Sequence, residues 1–479
     1  MRENLTVTGI RAVEMSPLPL ARFAPLIGAE RYATLEERAA RAREVLAGVT
    51  VWNVNSTAAG GGVAEMLRVI VGYSLGAGLD VRWNVIAGDD MFFATTKRLH
   101  NQLHGFPGDG EIGAAETEHY RTLTDGFGAE FARLVRPGDV VLLHDPQTAG
   151  MTTQLAAAGA HVVWRCHVGV DHENSWTSAA WEFLRPHLEL CQRYVFSRRS
   201  YAPAWLSDDS VAVIPPSIDP FSVKNEELSS DEVVATLRAA GVFNDGGDVT
   251  PPAAAGARGR AISHRASIVG GAPIDPALPL VVQVSRWDRL KDMAGVMTGF
   301  LGGVAAANDR AHLALVGPAV AAVSDDPEGA QVLGECAAAW EALPAAQRQR
   351  VSLVTLPMDD LDENATMVNA IQRHATVVVQ KSLAEGFGLT VAEAMWKGRA
   401  VVASGIGGIT DQIAPGTGIL LADPTDLTTF GAVLAGLLDD PAEIERLGAA
   451  ARSRVLADFV GDQHLAAYAL LMGQLHLHG

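Results

Sequence analysis

Twice along the chain, short apolar runs rich in β-branched residues alternate with longer stretches of helical periodicity, a pattern that few folds can absorb. In the first half the runs are VTVWNV (49–54), VRWNVIAG (81–88), DVVLLHD (139–145), HVVWRCH (161–167), RYVFS (193–197) and VAVIPP (211–216). In the second half they are LPLVVQVSR (278–286), AHLALVG (311–317), RVSLVTLP (350–357), ATVVVQ (375–380), RAVVAS (399–404) and GILLA (418–422). A strand covered on both faces reads as an unbroken apolar run, so parallel sheets flanked by helices are expected. Two such series predict an α/β chain with two Rossmann-like, doubly wound domains. At 479 residues there is length for both. The break is expected between Pro215 and Glu227, where prolines give way to charge, with residues 1–220 before it. A Gly-, Pro- and Ala-rich stretch at about 243–277 shows no period and reads as a mobile insertion.

Composition narrows the partners. Hydrophobic content of 48% supports real cores, and Lys+Arg 37 against Asp+Glu 55 gives a net charge of −18. Such a chain is a poor general binder of nucleic acid or anionic membrane, because phosphate contacts need clustered cations. A phosphate-bearing ligand must be met by a few local cations or by backbone N–H groups. Cys166, Cys191 and Cys336 show no C-x-x-C spacing, which argues against a disulfide scaffold and a zinc ribbon. No leader-like segment opens the sequence, and no apolar stretch approaches membrane-spanning length. A soluble, cytoplasmic protein is expected.

The densest chemistry lies in AEGFGLTVAEAMWKG (384–398), which follows the run ATVVVQK. Glu385 falls in a loop and Glu393 is expected in the first turn of a helix starting near Thr390. Gly386 and Gly388 allow close approach of a ligand to the backbone, and a helix N-terminus favours phosphate. Alone, the segment has a second reading, a strand–loop–helix with solvated capping glutamates, which is the weaker of the two. Arg286 and Lys291 in QVSRWDRLKD (283–292) place two cations after a strand, where charge on a leaving group could be met. STAAGGGVAEML (56–67) is neither a Walker A loop nor a G-x-G-x-x-G turn. His167 ends the run HVVWRCH, and His144 opens HDPQ (144–147) as a candidate structural histidine. Asp145 and Gln147 are short polar groups suited to hydroxyl-bearing ligands. His167, Asp171 and His172 lack the spacing of a metal site, and Trp52, Trp83 and Trp164 lie in apolar runs and read as core.

E-x7-E within EGFGLTVAEAM, together with R-x4-K, resembles the signature of the retaining GT-B glycosyltransferases of family 4. VWNVNSTAAGGGVAEML, LLHDPQTAG and WRCHVGVD are similar to the trehalose glycosyltransferring synthases and the related retaining trehalose phosphorylases within it. The resemblance runs from about residue 50 to 425, with the 243–277 stretch as a departure. It implies two Rossmann-like domains facing a central cleft. Residues 1–220 would be the acceptor domain, 221–455 the nucleotide-sugar donor domain, and 456–479 a helix returning to the first domain. It further implies a catalytic set of His167, Arg286, Lys291 and Glu385. The donor would be held by Gly61, Gly62, Arg286, Lys291, Glu385, Gly386, Phe387, Gly388, Leu389, Thr390 and Glu393. Asn55, Asp145 and Gln147 would meet the acceptor. The implied reaction moves glucose from a nucleoside diphosphate glucose to glucose with retention, giving trehalose, with no metal and no further cofactor. Partners would be the nucleotide sugar and a small sugar acceptor, with a homodimer left open. Two alternatives stay open: a retaining phosphorylase or a transferase with another acceptor, and a non-catalytic sugar-nucleotide-binding protein.

Overall fold

The computed structural model describes residues 9–58, 62–244, 260–308, 310–320 and 328–477. The chain divides into two compact units. The first comprises Met1–Ser217, Glu385–Phe387 and Phe459–Gly479; the second comprises Ile218–Ala384 and Gly388–Asp458.

In the first unit the strands are β1 (Ile10–Val13), β2 (Val51–Asn55), β3 (Val81–Ile86), β4 (Val140–His144), β5 (His161–Cys166), β6 (Arg193–Phe196) and β7 (Val211–Val213). Their order is β1-β3-β2-β4-β5-β6-β7, parallel except for β1. Alternate residues of a strand face opposite sides, and β4 shows the consequence. Val141 and Leu143 join one core with Phe92, Tyr120 and Trp164. Val140 and Leu142 join another with Leu67, Trp83 and, from the helix Gly461–Leu477, Leu471 and Leu475. Both faces are thus apolar, which is why these strands read as unbroken runs. Trp52, Trp83 and Trp164 are all buried. Sheet order reverses between β2 and β4, and ligands of open α/β sheets bind outside the carboxyl ends of strands at such a reversal.

In the second unit the strands are β8 (Ser267–Ile268), β9 (Leu280–Val284), β10 (His312–Pro318), β11 (Val351–Leu356), β12 (Val377–Gln380), β13 (Ala400–Ser404) and β14 (Ile419–Leu421). Their order is β14-β13-β12-β9-β10-β11-β8, and only β8 is antiparallel. Without β8 this is the strand order of dinucleotide-binding sheets, reversing between β9 and β12. Val281, Leu313, Leu353 and Val379 share a core with Phe300 and Phe430.

Two strands escape the apolar pattern, and both are antiparallel edges. IRAV of β1 exposes Arg11 and Ala12, adjacent residues on opposite faces, so this edge strand is wetted on both sides. β8 lies in the stretch read as an unstructured insertion, and here the structure corrects the reading for residues 260–277. Ala266 N donates to Ala240 O (2.8 Å), Val269 N to Leu353 O (3.0 Å) and Ile274 N to Val242 O (2.8 Å). Ile274 is buried, so this part is anchored to the sheet and to its neighbouring helix. Phe243 is buried and Asn244 N donates to Ile274 O (3.1 Å), and 245–259 lie outside the described residues. Cys166, Cys191 and Cys336 are buried free thiols. Among the described residues no helix is long and apolar enough to cross a membrane.

Candidate functional site

In the first unit a chain of polar side chains runs beneath the carboxyl ends of β2, β4 and β5. His144 Nε2 lies 3.1 Å from Asn53 Oδ1, and His144 Nδ1 lies 3.0 Å from His167 Nε2. With Asn53 Oδ1 accepting, His144 carries its proton on Nε2, so His167 must donate from its own Nε2. His167 Nδ1 then accepts from Arg165 Nε at 3.4 Å. This order needs both rings neutral. Burial and the nearby Arg165 guanidinium push His144 down to about 3 and hold His167 well below the usual histidine range. Both ring nitrogens of His167 are therefore spent on protein partners. The reading that this ring meets the donor sugar gains no open ring nitrogen here; the residue instead orders the loop through its backbone.

That loop presents Asp145. Its Oδ1 accepts from His167 N at 2.7 Å. Its backbone sits at φ 64°, ψ 177°, a region essentially reserved for glycine, and Pro146 after it also excludes the helical conformation. Backbone strain of this kind persists where the surrounding structure over-determines it and clusters at functional sites. Burial pushes the Asp145 carboxyl up to about 7, against the opposing pull of the His167 N–H and Arg165. A carboxyl raised this way binds its proton more tightly in the folded state than in the unfolded one between about pH 4 and 7. Stability therefore falls as pH rises through that window, and the penalty is complete above it. Asp145→Asn keeps an acceptor for His167 N and removes the charge. It is expected to stabilise the fold by ~1–2 kcal/mol at pH 8 and hardly at all at pH 4.5. Thermal melts at the two pH values check this; a pH-independent difference would contradict it.

Gln147 lies next along, half-buried in the short helix Pro146–Ala149. Asn55, expected in the acceptor set, already has protein partners. It is buried, its Oδ1 accepts from Trp83 Nε1 (2.7 Å) and its Nδ2 donates to Thr57 O (2.7 Å). Its amide braces the turn after β2. Gly62 opens the helix Gly62–Gly76, while Gly61 lies outside the described residues. Asp171 is held by Arg198 and Ser200, not by a metal-like cluster with His167 and His172.

Glu385, Gly386 and Phe387 belong to this unit. Tyr201 Oη donates to Gly386 O at 2.6 Å. A Cβ on Gly386 would lie 2.6 Å from His167 O, a backbone atom that cannot step aside cheaply. Phe387 buries its ring against Phe459, so the loop offers backbone there rather than the aromatic side chain. Gly386→Ala should therefore displace Glu385 and lower kcat by ~10-fold or more, since shifts approaching 1 Å at a reacting group can cost 10²-fold. Unchanged turnover in a steady-state assay would contradict this.

In the second unit the segments Arg286–Lys291 and Gly388–Glu393 follow β9 and β12, the two strands flanking the reversal. Gly388 caps the helix Leu389–Trp396 at φ 84°, which a side chain would resist. Leu389 and Thr390 are half-buried, and Thr390 Oγ1 donates to Gln380 Oε1 at 3.0 Å. Arg286 is about one-third exposed, 3.6 Å from Asp288. Glu393 departs from the expected first-turn position. It sits one turn further in, is buried, and its Oε1 pairs with Lys224 Nζ at 3.0 Å. Beside it the buried Lys397 ammonium, pushed down by its burial, donates to Gln372 Oε1 (2.7 Å) and Asn225 Oδ1 (3.0 Å). Sequence reasoning missed Lys224, whose only signal was a lysine in a proline-rich boundary.

Residues 53–203 match the family model described as trehalose synthase, N-terminal domain, and residues 361–454 match glycosyl transferases group 1. The chain is 32% identical to the trehalose synthase of Pyrococcus horikoshii, over 95% of this chain and 96% of that one. It is also 32% identical to the trehalose synthase of Rubrobacter xylanophilus, over 92% and 93%. The chain belongs to the trehalose synthase family. Its fold is similar to that of an α,α-trehalose 6-phosphate synthase from Burkholderia multivorans, with a TM-score of 0.62 at 14% identity, covering 89% of this chain and 96% of that one. The trehalose synthase assignment makes the chain a GT-B glycosyltransferase, a hexosyltransferase of trehalose chemistry. Asn55, Gly61, Gly62, Asp145, Gln147 and His167 fall within the first matched segment, and Glu385 to Glu393 within the second. Arg286 and Lys291 fall in neither.

Proposed function

We propose that the protein transfers an α-glucosyl group from a nucleoside diphosphate glucose to the anomeric hydroxyl of free glucose, with retention, forming α,α-trehalose. The observation that carries this reading is that Arg286–Lys291 and Gly388–Glu393 follow the two strands flanking the reversal in the second sheet. A nucleotide's phosphates are bound at such points. Arg286 and Lys291 would meet the diphosphate as it departs and gains charge, aided by backbone N–H groups at the start of the helix Leu389–Trp396. The two cations carry the charge, so the reaction needs no metal or other cofactor.

Retaining hydrolases commonly use a carboxylate nucleophile beside the anomeric carbon. In this reading Glu385 orients the sugar instead, and the leaving phosphate oxygen takes the proton of the incoming hydroxyl on the same face. Asp145 and Gln147 would bind acceptor hydroxyls. Trapping a glycosyl ester on Glu385 would overturn the front-face step. The acceptor and donor are tested by crossing several nucleoside diphosphate glucoses with glucose, other hexoses and phosphorylated glucose, and by incubating trehalose with inorganic phosphate. Trehalose formation from free glucose is expected. Phosphorolysis without nucleotide would replace the reading with a phosphorylase, and tight donor binding without turnover would replace it with a sensor.

A further inference from the structure

We infer that Lys381 is a positioning residue that sets the donor-phosphate cation Lys291 through Asp292 and Gln283. The inference rests on Arg286 and Lys291 being the diphosphate pair. Backbone pairing between β9 and β12 covers only Val281 with Val377 and Val282 with Val378, after which the strands part. Side chains take over where the ladder stops. Lys381 N donates to Gln283 Oε1 (2.9 Å), and Gln283 Nε2 donates to Lys291 O (2.7 Å). Leu383 N donates to Leu290 O at 2.7 Å. Gln283 is fully buried, so both ends of its amide are committed to this bridge.

Lys381 itself is fully buried, which lysines almost never are unless paired. Its Nζ pairs with Asp292 and donates to Pro424 O at 2.7 Å. Asp292 follows Lys291 directly and adopts the left-handed conformation, φ 48°, ψ 47°, at a steric cost for a residue with a Cβ. Its carboxylate also caps the helix Met293–Ala307 through Gly295 N (3.1 Å). An added Cβ at Gly295 would sit 2.1 Å from that carboxylate, so the tight reversal depends on both residues. The same segment reaches the other loop: Gln380 Nε2 donates to Ser382 Oγ (2.9 Å) and Gln380 Oε1 accepts from Thr390. One buried bracket thus fixes where Lys291 leaves the backbone relative to the helix start at Leu389.

The test is a double-mutant cycle in the full chain, read as affinity for nucleoside diphosphate alone and as kcat with the nucleotide sugar. Lys381→Met should weaken diphosphate binding by ~10-fold or more, as loss of a preorganised charge contact does. Adding Lys291→Ala should then cost less than ~2-fold further, because Lys291 is already misplaced, whereas adding Glu393→Gln should cost its full separate factor. Asp292→Asn keeps size and cap but removes the charge. It should show the same non-additivity with Lys291→Ala, which keeps the inference open to test where Lys381→Met fails to fold. Full additivity of either variant with Lys291→Ala would overturn the inference while leaving the cation pair intact. Wild-type diphosphate affinity in Lys291→Ala alone would overturn the underlying reading and the inference with it.

Discussion

Replacing Arg286 or Lys291 by alanine should lower kcat on the order of 10²-fold or more while the protein stays folded. Charge on the diphosphate grows as the glycosidic bond breaks, so a fixed cation there stabilises the transition state more than the bound donor. The loss should therefore fall on kcat more than on KM. Stability should change little. Arg286 is part-exposed and its contact with Asp288, at 3.6 Å, is a loose ion pair. Asp288 keeps a separate hydrogen bond from Leu290 N at 2.8 Å. Steady-state kinetics with a parallel thermal melt check both halves. Near wild-type turnover in either variant would refute the role.

The second large effect should separate two glutamates eight residues apart. Glu385 faces the reacting sugar in the proposed mechanism, where the ring flattens and gains positive charge. Glu385→Gln should then lower kcat strongly while nucleoside diphosphate still binds, because the lost contact strengthens only in the transition state. Glu393 would hold ribose hydroxyls, which change little during reaction, so Glu393→Gln should chiefly raise the donor KM, by ~10-fold. Its burial against Lys224 adds a second expectation. Removing the charge leaves a buried contact half-made, which should destabilise the fold by ~1–3 kcal/mol. Glu385 is half-buried and its variant should melt like the parent. Nucleoside diphosphate should raise the Tm of Glu385→Gln fully and that of Glu393→Gln only in part. The reverse pattern, with Glu385→Gln losing nucleotide and Glu393→Gln losing only turnover, would sink the assignment.

Legibility in the sequence followed burial. The ten strands inside the two sheets are mostly buried and apolar, so composition alone marks them, and the two sheets are read correctly from it. β1 and β8 are short, part-exposed antiparallel edges and carry no such mark. The E-x7-E loop was legible because its glycines and carboxylates are adjacent along the chain. What the sequence hid is set by partners distant in it. Asn55 is spent on Trp83, Glu393 is matched by Lys224, and His167 is committed to His144 and Arg165. Asp145 is the partial exception: the proline after it excludes the helical region, but not even that predicts a positive φ. Lys381 left a trace of a different kind, a lysine continuing an apolar strand, which needs a carboxylate partner such as Asp292.

The central claim, glucosyl transfer with retention to the anomeric hydroxyl of glucose, is tested most directly by the configuration of the product. A nucleoside diphosphate α-glucose labelled with carbon-13 at its anomeric carbon is incubated with unlabelled glucose, and the disaccharide is examined by NMR. The account predicts a label in the α configuration, joined to a second α-anomeric carbon, as in α,α-trehalose. A β-configured label, or a linkage to any other hydroxyl of the acceptor, would contradict it.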